Sequence, residues 1–350
     1  MKKLFFHLII IGAVSVLPIL FFFTSYYFNK QQLTYNFQRN LSYQVKNIKT
    51  FDLRYNSYYI AGQSNNDIYL GNSMASLHVL KINYLLTDTQ SANIEVNKAI
   101  LKPNGLYMLH VDSTKFHLFN GNDRSVLSGK TGLWKASTDS IFTPYFSQTA
   151  TISNQSMVFR YISSKTGNNA FRKVSLPNST TIENENILEK QIDGLFCTDG
   201  VLEYNHHLNK LIYLYYYRNQ ILLIDTNLKL IKKIKTIDPI DSVKFKVSKI
   251  KSENSVTLSS PSLIVNARCS TWNKYLFVQS KLMGQHEDET LFKTSTVIDV
   301  YDLETYKYRF SIYLPNFNNK PIRQFKVTGN YIYTLSDQFI TMYTINLSKS

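Results

Sequence analysis

The chain contains Gly200-Val-Leu-Glu-Tyr-Asn, Leu211-Ile-Tyr-Leu-Tyr-Tyr-Tyr, Gln220-Ile-Leu-Leu-Ile-Asp-Thr-Asn and Leu228-Lys-Leu-Ile-Lys-Lys-Ile, four successive runs with the composition of β-strands. A second copy consists of Ile264-Val-Asn-Ala-Arg, Tyr275-Leu-Phe-Val-Gln, Ser295-Thr-Val-Ile-Asp-Val-Tyr-Asp and Tyr308-Arg-Phe-Ser-Ile-Tyr-Leu. Both copies have an aromatic second strand and a third strand that ends in Asp. Four-stranded units repeated at a spacing of roughly 40–60 residues predict a β-propeller.

The number of blades follows from the starts of the aromatic second strands. These starts are expected near residues 58 or 67, 106, 157, 211, 275 and 331. Six starts predict six blades, since seven would need a much shorter spacing. The expected fold class is therefore all-β: a six-bladed β-propeller preceded by an N-terminal transmembrane or signal-anchor helix.

The last blade predicts how the ring closes. It contains only Gln324-Phe-Lys-Val, Tyr331-Ile-Tyr-Thr-Leu and Phe339-Ile-Thr-Met-Tyr before a short polar tail, so one strand is missing. A propeller avoids an open edge by closing its ring, and Gln44–Leu53 is the candidate for the fourth strand. The apolar spacing of that segment departs from period two, which predicts a bulge near Asn47. We expect residues 44–350 to form the propeller.

The composition is that of a folded protein with a large core. The chain has 350 residues, 44% of them hydrophobic and 14% aromatic. Bulky aromatic residues suit pleated, half-buried strands. The formal net charge is +15, but the lysines are spread along the whole chain without an RNA- or DNA-binding motif. This distribution argues against nucleic acid as a partner.

An apolar run from Leu4 to about Phe23 follows a pair of lysines at the N-terminus. Its length is close to the roughly 20 residues that cross a bilayer and exceeds the roughly 7–15 apolar residues of a secretory signal. We expect residues 1–25 to be a signal anchor, with a cleaved signal peptide as the alternative, and residues 26–43 to be a polar tether. The expected location is the inner membrane, single-pass, with the propeller in the periplasm. Cleavage would leave the propeller periplasmic or secreted.

Export raises the question of a disulfide between Cys197 and Cys269, the two cysteines of the chain. Cys197 falls before or at the start of the first strand of its blade, whereas Cys269 falls near the end of the equivalent strand in the next blade. An offset of about eight strand residues corresponds to ~25 Å, and a disulfide needs Cα atoms within ~7 Å. We therefore expect two unbridged, buried thiols.

Several segments resemble a known group of proteins. They are Asn56-Ser-Tyr-Tyr-Ile-Ala-Gly, Asp67-Ile-Tyr-Leu-Gly-Asn, Met157-Val-Phe-Arg-Tyr, Lys190-Gln-Ile-Asp-Gly-Leu-Phe-Cys-Thr-Asp-Gly and Tyr215-Tyr-Tyr-Arg-Asn-Gln. With these segments the chain resembles a group of exported six-bladed propeller proteins from Bacteroidota, similar in architecture to the TolB-like propellers. The resemblance covers nearly the whole chain after the apolar run. It implies the fold and export, but no activity for any residue.

Motifs that carry catalysis or metal binding are missing from the sequence. It has no Gly-x-Ser-x-Gly nucleophile elbow, no His-Glu-x-x-His, no phosphate-binding glycine loop and no Cys-x-x-Cys. His206 and His207 are neighbours in a predicted turn and point to opposite sides, which is a poor arrangement for one metal ion. Gly284-Gln-His-Glu-Asp-Glu-Thr is acidic but lacks the ligand spacing of a calcium loop. No cofactor or metal is predicted.

The most distinctive polar stretch is Gln191-Ile-Asp-Gly-Leu-Phe-Cys-Thr-Asp-Gly, which leads into the inner strand of the fourth blade. Inner-strand loops from every blade converge at the mouth of the central channel, so polar side chains there are candidates for binding. The candidate residues are Asp193, Cys197, Asp199, Arg160 and Arg218. The alternative interpretation is turn chemistry, because Asp-Gly occurs twice in the stretch and is a strong turn pair.

Three functions are compatible with these features. The first is a non-catalytic, monomeric, membrane-tethered propeller that binds a protein or peptide of the cell envelope, an interpretation based on the anchor and the missing catalytic motifs. The second is an exported propeller enzyme, a lactonase-like hydrolase or a lyase, with polar groups converging from different blades. The third is envelope thiol chemistry at Cys197, whose neighbours Thr and Asp supply no activating positive charge. The sequence favours the first.

Overall fold

The computed structural model describes residues 12, 14–24, 34–42, 45–64, 66–101, 105–138, 143–176, 178–250, 255–258 and 262–347. Nearly all regular elements in these ranges are β-strands, beginning with β1 (Thr34–Tyr35) and β2 (Val45–Asp52). Most of the strands form four-stranded antiparallel units that surround a central cavity. This arrangement is an all-β, propeller-like fold.

The first two units form one continuous sheet. Unit 1 comprises β3 (Tyr58–Gln63), β4 (Asp67–Asn72), β5 (His78–Asn83) and β6 (Thr89–Asn93). Unit 2 comprises β8 (Met108–Asp112), β9 (Lys115–Asn120), β10 (Ser125–Lys130) and β11 (Lys135–Thr138), with the short β7 (Glu95–Val96) beside β11. The inner strands β3 and β8 pair in parallel. A Cβ at Gly62 would lie 1.9 Å from the Val111 carbonyl oxygen, so this close approach requires glycine.

The strand that starts near residue 106 is the inner strand of unit 2, whereas the sequence predicted it as the second strand of its blade. The prediction failed because it assumed an earlier strand in the same blade. Residues 98–100, which precede this strand, form a turn instead. The true second strand is β9, reached through the hairpin turn after Asp112.

Three further units follow along the chain. Unit 3 comprises β12 (Phe146–Ser153), β13 (Ser156–Ile162), β14 (Asn169–Ser175) and β15 (Thr180–Asn184). Unit 4 comprises β16 (Gly200–Asn205), β17 (Lys210–Tyr215), β18 (Gln220–Ile224) and β19 (Leu230–Lys235), and a separate hairpin of β20 (Val247–Ile250) and β21 (Ser255–Leu258) follows. Unit 5 comprises β22 (Asn266–Trp272), β23 (Tyr275–Ser280), β25 (Ser295–Asp302) and β26 (Lys307–Pro315). The connection between β23 and β25 holds β24 (Met283–Gly284) and a short helix, Glu289–Thr294.

Unit 6 joins the N-terminal and C-terminal parts of the chain. It comprises β27 (Gln324–Thr328), β28 (Tyr331–Ser336), β29 (Phe339–Ile345) and, as its outer strand, β2. Strand β2 runs antiparallel to β29, with Val45 opposite Ile345. The register shifts between Asn47 and Lys49, where the sequence predicted a bulge. The strand predicted to complete the last blade is therefore paired as expected.

The core lies between neighbouring units, and the second strands supply much of it. Every residue from Leu211 to Tyr215 in β17 is fully buried. Successive side chains of a strand point to opposite faces, so Tyr213 packs against Phe171 of unit 3 while Leu214 packs with Leu276 of unit 5. A strand covered on both faces needs a continuous apolar run, which explains the aromatic second strands of the repeat.

Part of the segment expected to be a tether is docked on unit 5. Strand β1 pairs in parallel with β24. The Arg39 side chain is fully buried and donates hydrogen bonds to Glu287 at 2.6 Å and to Asp299 at 2.7 Å. Loss of one partner of a buried ion pair would leave an uncompensated charge. These contacts therefore hold residues 34–42 against unit 5. Residues 26–33 and 43 of the predicted tether lie outside the described residues.

Residues 14–24 are helical, within the predicted anchor. Their apolar side chains are exposed, including Val14 at 63% and Phe23 at 65%. Among the described residues, no helix combines the length and the apolar character needed to cross a membrane. Residues 1–11, 13 and 25 of the predicted anchor lie outside the described residues.

The prediction of two unbridged thiols is confirmed. Cys197 and Cys269 are both free and buried. Cys197 precedes β16, whereas Cys269 lies inside β22, the inner strand of the next unit. The sequence repeat predicted Cys269 near the end of its strand, whereas it lies in the middle of β22, so the difference in strand position is smaller than predicted.

Candidate binding cavity

The inner strands of all six units surround a central cavity of about 1280 Å³. These strands are β3, β8, β12, β16, β22 and β27, each the first strand of its unit. Residues that line the cavity include Tyr59, His110, Thr149, Glu203, Arg268 and Lys326, one from each inner strand. Side chains that are far apart in sequence therefore converge in one space, as expected at the centre of a propeller-like ring.

An ion pair reaches across the middle of the cavity. The Lys326 Nζ lies 3.5 Å from the Glu203 Oε2, and both side chains are about a quarter exposed (29% and 25%). Glu203 belongs to unit 4 and Lys326 to unit 6, so the contact passes over the inner strand of unit 5. The pair neutralises both charges and leaves neither group free for a ligand without exchange of partners.

His110 lies near this pair and is neutral at physiological pH. Burial lowers the pKa of His110 to about 3, and the positive charge of Lys326 reinforces the shift. The Nδ1 atom of His110 lies 3.3 Å from the Thr151 hydroxyl. Burial also raises the pKa of the Cys269 thiol, and Glu203 adds to this effect. The middle of the cavity thus holds a neutral imidazole and a protonated thiol.

The end of the cavity at which the inner strands begin carries excess positive charge. Arg268 lines the cavity and is exposed. Lys281 and Arg323 lie nearby: burial lowers the pKa of both, and the positive charge of Arg268 lowers each further. Arg323 directly precedes β27, and the Lys281 amide donates to the Val265 carbonyl just before β22. We call this end, with Arg268, Lys281 and Arg323, the basic mouth.

The sequence-predicted residue Asp193 organises the turn before β16. Its Oδ1 accepts hydrogen bonds from the amides of Leu195 at 2.7 Å and Phe196 at 2.6 Å, and its Oδ2 accepts from Cys197 at 3.2 Å. The Cys197 thiol donates to the Asp193 carbonyl oxygen at 2.6 Å, and the residue is only 1% exposed. In this conformation the thiol is closed to an approaching partner.

Asp199 and Arg160 form an ion pair between units 3 and 4. Arg160 donates to the Asp199 carboxylate, to the Tyr213 hydroxyl at 2.9 Å and to the Ser147 hydroxyl at 2.9 Å. The Asp199 side chain is 32% exposed, and its backbone oxygen accepts from the amide of Tyr216. Tyr216 lines the cavity, so Asp199 contacts a residue of the cavity wall without lining the cavity itself.

Arg218 is a fully enclosed cation just beyond the end of β17. It donates to Gln220 at 2.7 Å, to the Glu189 carbonyl at 2.7 Å and to the Cys197 carbonyl at 3.3 Å. The guanidinium also lies 3.7 Å from the centre of the Tyr215 ring. With only 1% of the residue exposed, these contacts account for the whole side chain.

The structure brings the five predicted residues together around the turn between units 3 and 4. None of the five is among the residues that line the central cavity. Their role in binding stays a prediction, and their contacts support the alternative interpretation of structural turn chemistry. Sequence reasoning missed Glu203, Lys326 and Arg268. A signal was present in β16, where a lone acidic residue interrupts Val-Leu-x-Tyr, but one strand alone does not show which charges meet.

Metal binding receives no geometric support within the part of the chain that the structure describes. Those residues hold no group of three or more His, Cys, Asp or Glu side chains placed to share a metal ion. His206 and His207 both border the cavity at the end where the inner strands finish. They lie at the opposite end from the basic mouth.

Comparison with known proteins identifies the fold. No protein-family model matches the chain, and no curated protein matches it in sequence. A member of the DUF4221 family from Bacteroides vulgatus has a TM-score of 0.53 at 12% identity, over 88% of this chain and 98% of that chain. A catalytically inactive virginiamycin B lyase from Staphylococcus aureus, crystallised with quinupristin, has a TM-score of 0.51 at 11% identity, over 86% of this chain and 100% of that chain. These likenesses define the class as all-β proteins of the β-propeller type.

Proposed function

We propose that this protein is a membrane-tethered, six-bladed propeller that binds a protein or peptide of the cell envelope in its central cavity. The observation that carries the proposal is the cavity itself, to which all six inner strands contribute side chains. Six four-stranded units among the described residues support the count of six blades. Membership of the exported Bacteroidota group with TolB-like architecture is part of the proposal and rests on the sequence segments quoted above.

The size of the cavity favours a peptide over a small metabolite. Its volume of about 1280 Å³ exceeds the roughly 300–1,000 Å³ of a typical small-molecule pocket. Aromatic side chains such as Tyr59, Phe146 and Tyr216 lie among charged and amide groups on its wall. Such a mixed surface suits an extended segment with both apolar and polar side chains.

The tether is the second part of the proposal. The exposed apolar helix at residues 14–24 supports insertion into the inner membrane, with the propeller in the periplasm as a monomer. Docking of residues 34–42 on unit 5 would keep that unit close to the membrane. Cleavage after the helix, which would give a periplasmic or secreted propeller, is the alternative. Detection of residues 14–24 in the mature protein by mass spectrometry decides between them.

Peptide binding can be tested with a substitution that narrows the cavity entrance. Met108 lines the cavity and is 51% exposed, whereas Met74 is 86% exposed and lies outside the lining. Full-length protein in lipid nanodiscs is applied to an array of random ten-residue peptides. We expect Met108→Trp to reduce the strongest signals at least tenfold and the matched Met74→Trp to leave them unchanged. No signal above background, or equal signals from both variants, would contradict the proposal.

An enzyme, a lactonase-like hydrolase or a lyase, is the second candidate. It is favoured by the convergence of His110, Glu203 and Lys326 from three different units in the cavity. A panel of lactones and cyclic depsipeptides would be incubated with the wild type and with Glu203→Gln. Turnover that is lost in Glu203→Gln and kept in the surface variant Glu304→Gln would support catalysis. No turnover with any member of the panel removes this candidate's support.

The contribution of Asp193 and Asp199 to binding has its own test. Asn at either position keeps much of the turn chemistry and removes the charge. If these residues take part in binding, Asp193→Asn and Asp199→Asn reduce the peptide-array signals of the folded protein. Unchanged signals from both variants would leave them a purely structural role.

A further inference from the structure

Arg268 differs from every other arginine described so far in what its guanidinium contacts. It is exposed, lines the central cavity, and belongs to the inner strand β22. Within the described part of the chain, no carboxylate pairs with Arg268 and no hydrogen bond involves its side chain. A charge held at a cavity wall without a counter-ion is available to a ligand.

The surroundings of Arg268 strengthen its field. Lys281 and Arg323 share the basic mouth, and the guanidinium of Arg323 is occupied by the carbonyl oxygens of Tyr58 and Asp337. Two carboxylates lie near this end: Asp199 is already paired with Arg160, and the charge of Asp337 acts on Arg323. Positive charge therefore exceeds negative charge at the basic mouth, whereas in the middle of the cavity the charges of Glu203 and Lys326 balance.

We propose that Arg268 is the anchor for a carboxylate of the bound peptide, so that the ligand is an acidic peptide segment that enters through the basic mouth. This inference rests on the proposed function and specifies the chemistry of its ligand. The carboxylate is that of an Asp or Glu side chain or of a peptide C-terminus. In both cases the shared chemistry is a planar anion that can take two parallel hydrogen bonds from one guanidinium.

The geometry of arginine explains why this residue is suited to the task. Its planar fork of N–H donors matches the two oxygens of a carboxylate, whereas a lysine offers a point charge. Because Arg268 is exposed at the cavity wall, the strength of the contact comes from two parallel charge-assisted hydrogen bonds rather than from exclusion of water. Lys281 and Arg323 contribute attraction at longer range and a dependence on salt concentration.

The test uses defined peptides and the full-length protein in nanodiscs. Fluorescein-labelled peptides chosen from the array are paired with versions in which Asp and Glu are replaced by Asn and Gln. A third version keeps the acidic side chains and carries a C-terminal amide, which separates the two sources of the carboxylate. Dissociation constants are measured by fluorescence anisotropy for the wild type, Arg268→Gln, Arg268→Lys and the surface control Arg309→Gln.

We expect the acidic peptides to bind the wild type at least tenfold more tightly than their Asn/Gln versions. Arg268→Gln should abolish that preference, Arg268→Lys should keep part of it, and Arg309→Gln should keep all of it. Binding that is sensitive to Met108→Trp but shows no acidic preference would overturn this inference and leave the proposed function intact. Absence of any cavity-dependent binding would overturn both.

Discussion

Two arginines that lie 50 positions apart in the chain, Arg218 and Arg268, show opposite uses of the same side chain. Arg218 is 1% exposed and donates to Gln220 and to two carbonyl oxygens while it stacks on Tyr215. Arg268 lines the cavity, and the described residues supply it with no hydrogen-bond acceptor. The first is a structural element between strands, and the second is a charge available for recognition.

The comparison extends to the groups around each arginine. Near Arg218, Asp193 binds three backbone amides and Asp199 binds Arg160, so the polar atoms there are saturated. In the cavity, some charged groups pair with each other, whereas Arg268 has no charged partner among the described residues. A distinctive polar motif therefore indicates a ligand site only where some of its polar atoms make no hydrogen bond within the fold.

The largest expected effect is on stability at Arg218. Arg218→Met keeps the length of the side chain but leaves the carbonyl oxygens of Glu189 and Cys197 without a partner. We expect a loss of about 3 kcal/mol in the free energy of unfolding, measured by denaturant titration. The matched variant Arg268→Met should change it by less than about 0.5 kcal/mol. Similar losses in the two variants would abolish the distinction drawn between these arginines.

The next effect concerns the two aspartates. Asp193→Ala removes the acceptor of three amide hydrogen bonds and should cost about 2 kcal/mol of unfolding free energy. Asp112 lines the cavity in β8, and Asp112→Ala is the matched control with an expected change below about 0.5 kcal/mol. Thermal and urea unfolding of both variants provide the measurement. A control that loses as much as Asp193→Ala would show that the cavity wall is as saturated as the turn.

A smaller effect should appear in the dependence of stability on pH. The pKa of His110 is lowered to about 3, mainly by burial, with Lys326, His117 and His206 contributing positive charge. The unfolded chain then binds more protons than the folded one between pH 3 and the ordinary value near 6.5, so stability falls as the pH falls through that window. Because the cavity admits water, we expect roughly 1 kcal/mol between pH 7 and pH 5.

The measurement for His110 is urea unfolding at several pH values. His110→Asn should flatten the loss of stability below pH 6.5, while the matched surface variant His286→Asn provides the comparison. If wild type and His110→Asn have parallel profiles, the imidazole does not titrate as the cavity geometry indicates.

The smallest effect is expected for the ion pair across the cavity. The charges of Glu203 and Lys326 are 3.5 Å apart and about a quarter exposed, so a double-mutant cycle with Glu203→Gln and Lys326→Met should give a coupling below about 1 kcal/mol. A coupling above about 2 kcal/mol would show that this pair is as integral to the fold as the contacts of Arg218.

The sequence predicted much of the fold because strands and turns carry local signals. The repeat located β16 to β19 and also β22, β23, β25 and β26, and the unpaired last blade identified the closing strand β2 with its bulge. The assignment in unit 2 failed where turns replaced an expected strand. These predictions succeeded because they used local signals. The alternating apolar residues and the turn residues lie within about ten positions of each other.

The candidate site was much less predictable, for a physical reason. Glu203 and Lys326 are separated by 123 residues, and only closure of the ring places their charges together. The Asp-Gly stretch was conspicuous because turns need such residues. Arg268 was inconspicuous, because a single basic residue in a strand looks the same whether it faces a cavity or bulk solvent. In β8 the polar residues His110 and Asp112 alternate with buried apolar residues, and such alternation in an inner strand is the pattern that identifies the wall.

Ring closure through β2 also sets the order in which this protein can be made. The first residue of that strand, Val45, pairs with Ile345, about 300 residues later in the chain. At roughly 5–20 residues per second, the ribosome needs about 15–60 seconds to deliver the partner. During this interval strand β2 has no β29 to pair with. Unpaired strand edges are the feature through which β-proteins aggregate. Synthesis of this propeller therefore has a vulnerable period that ends only when its last strand emerges.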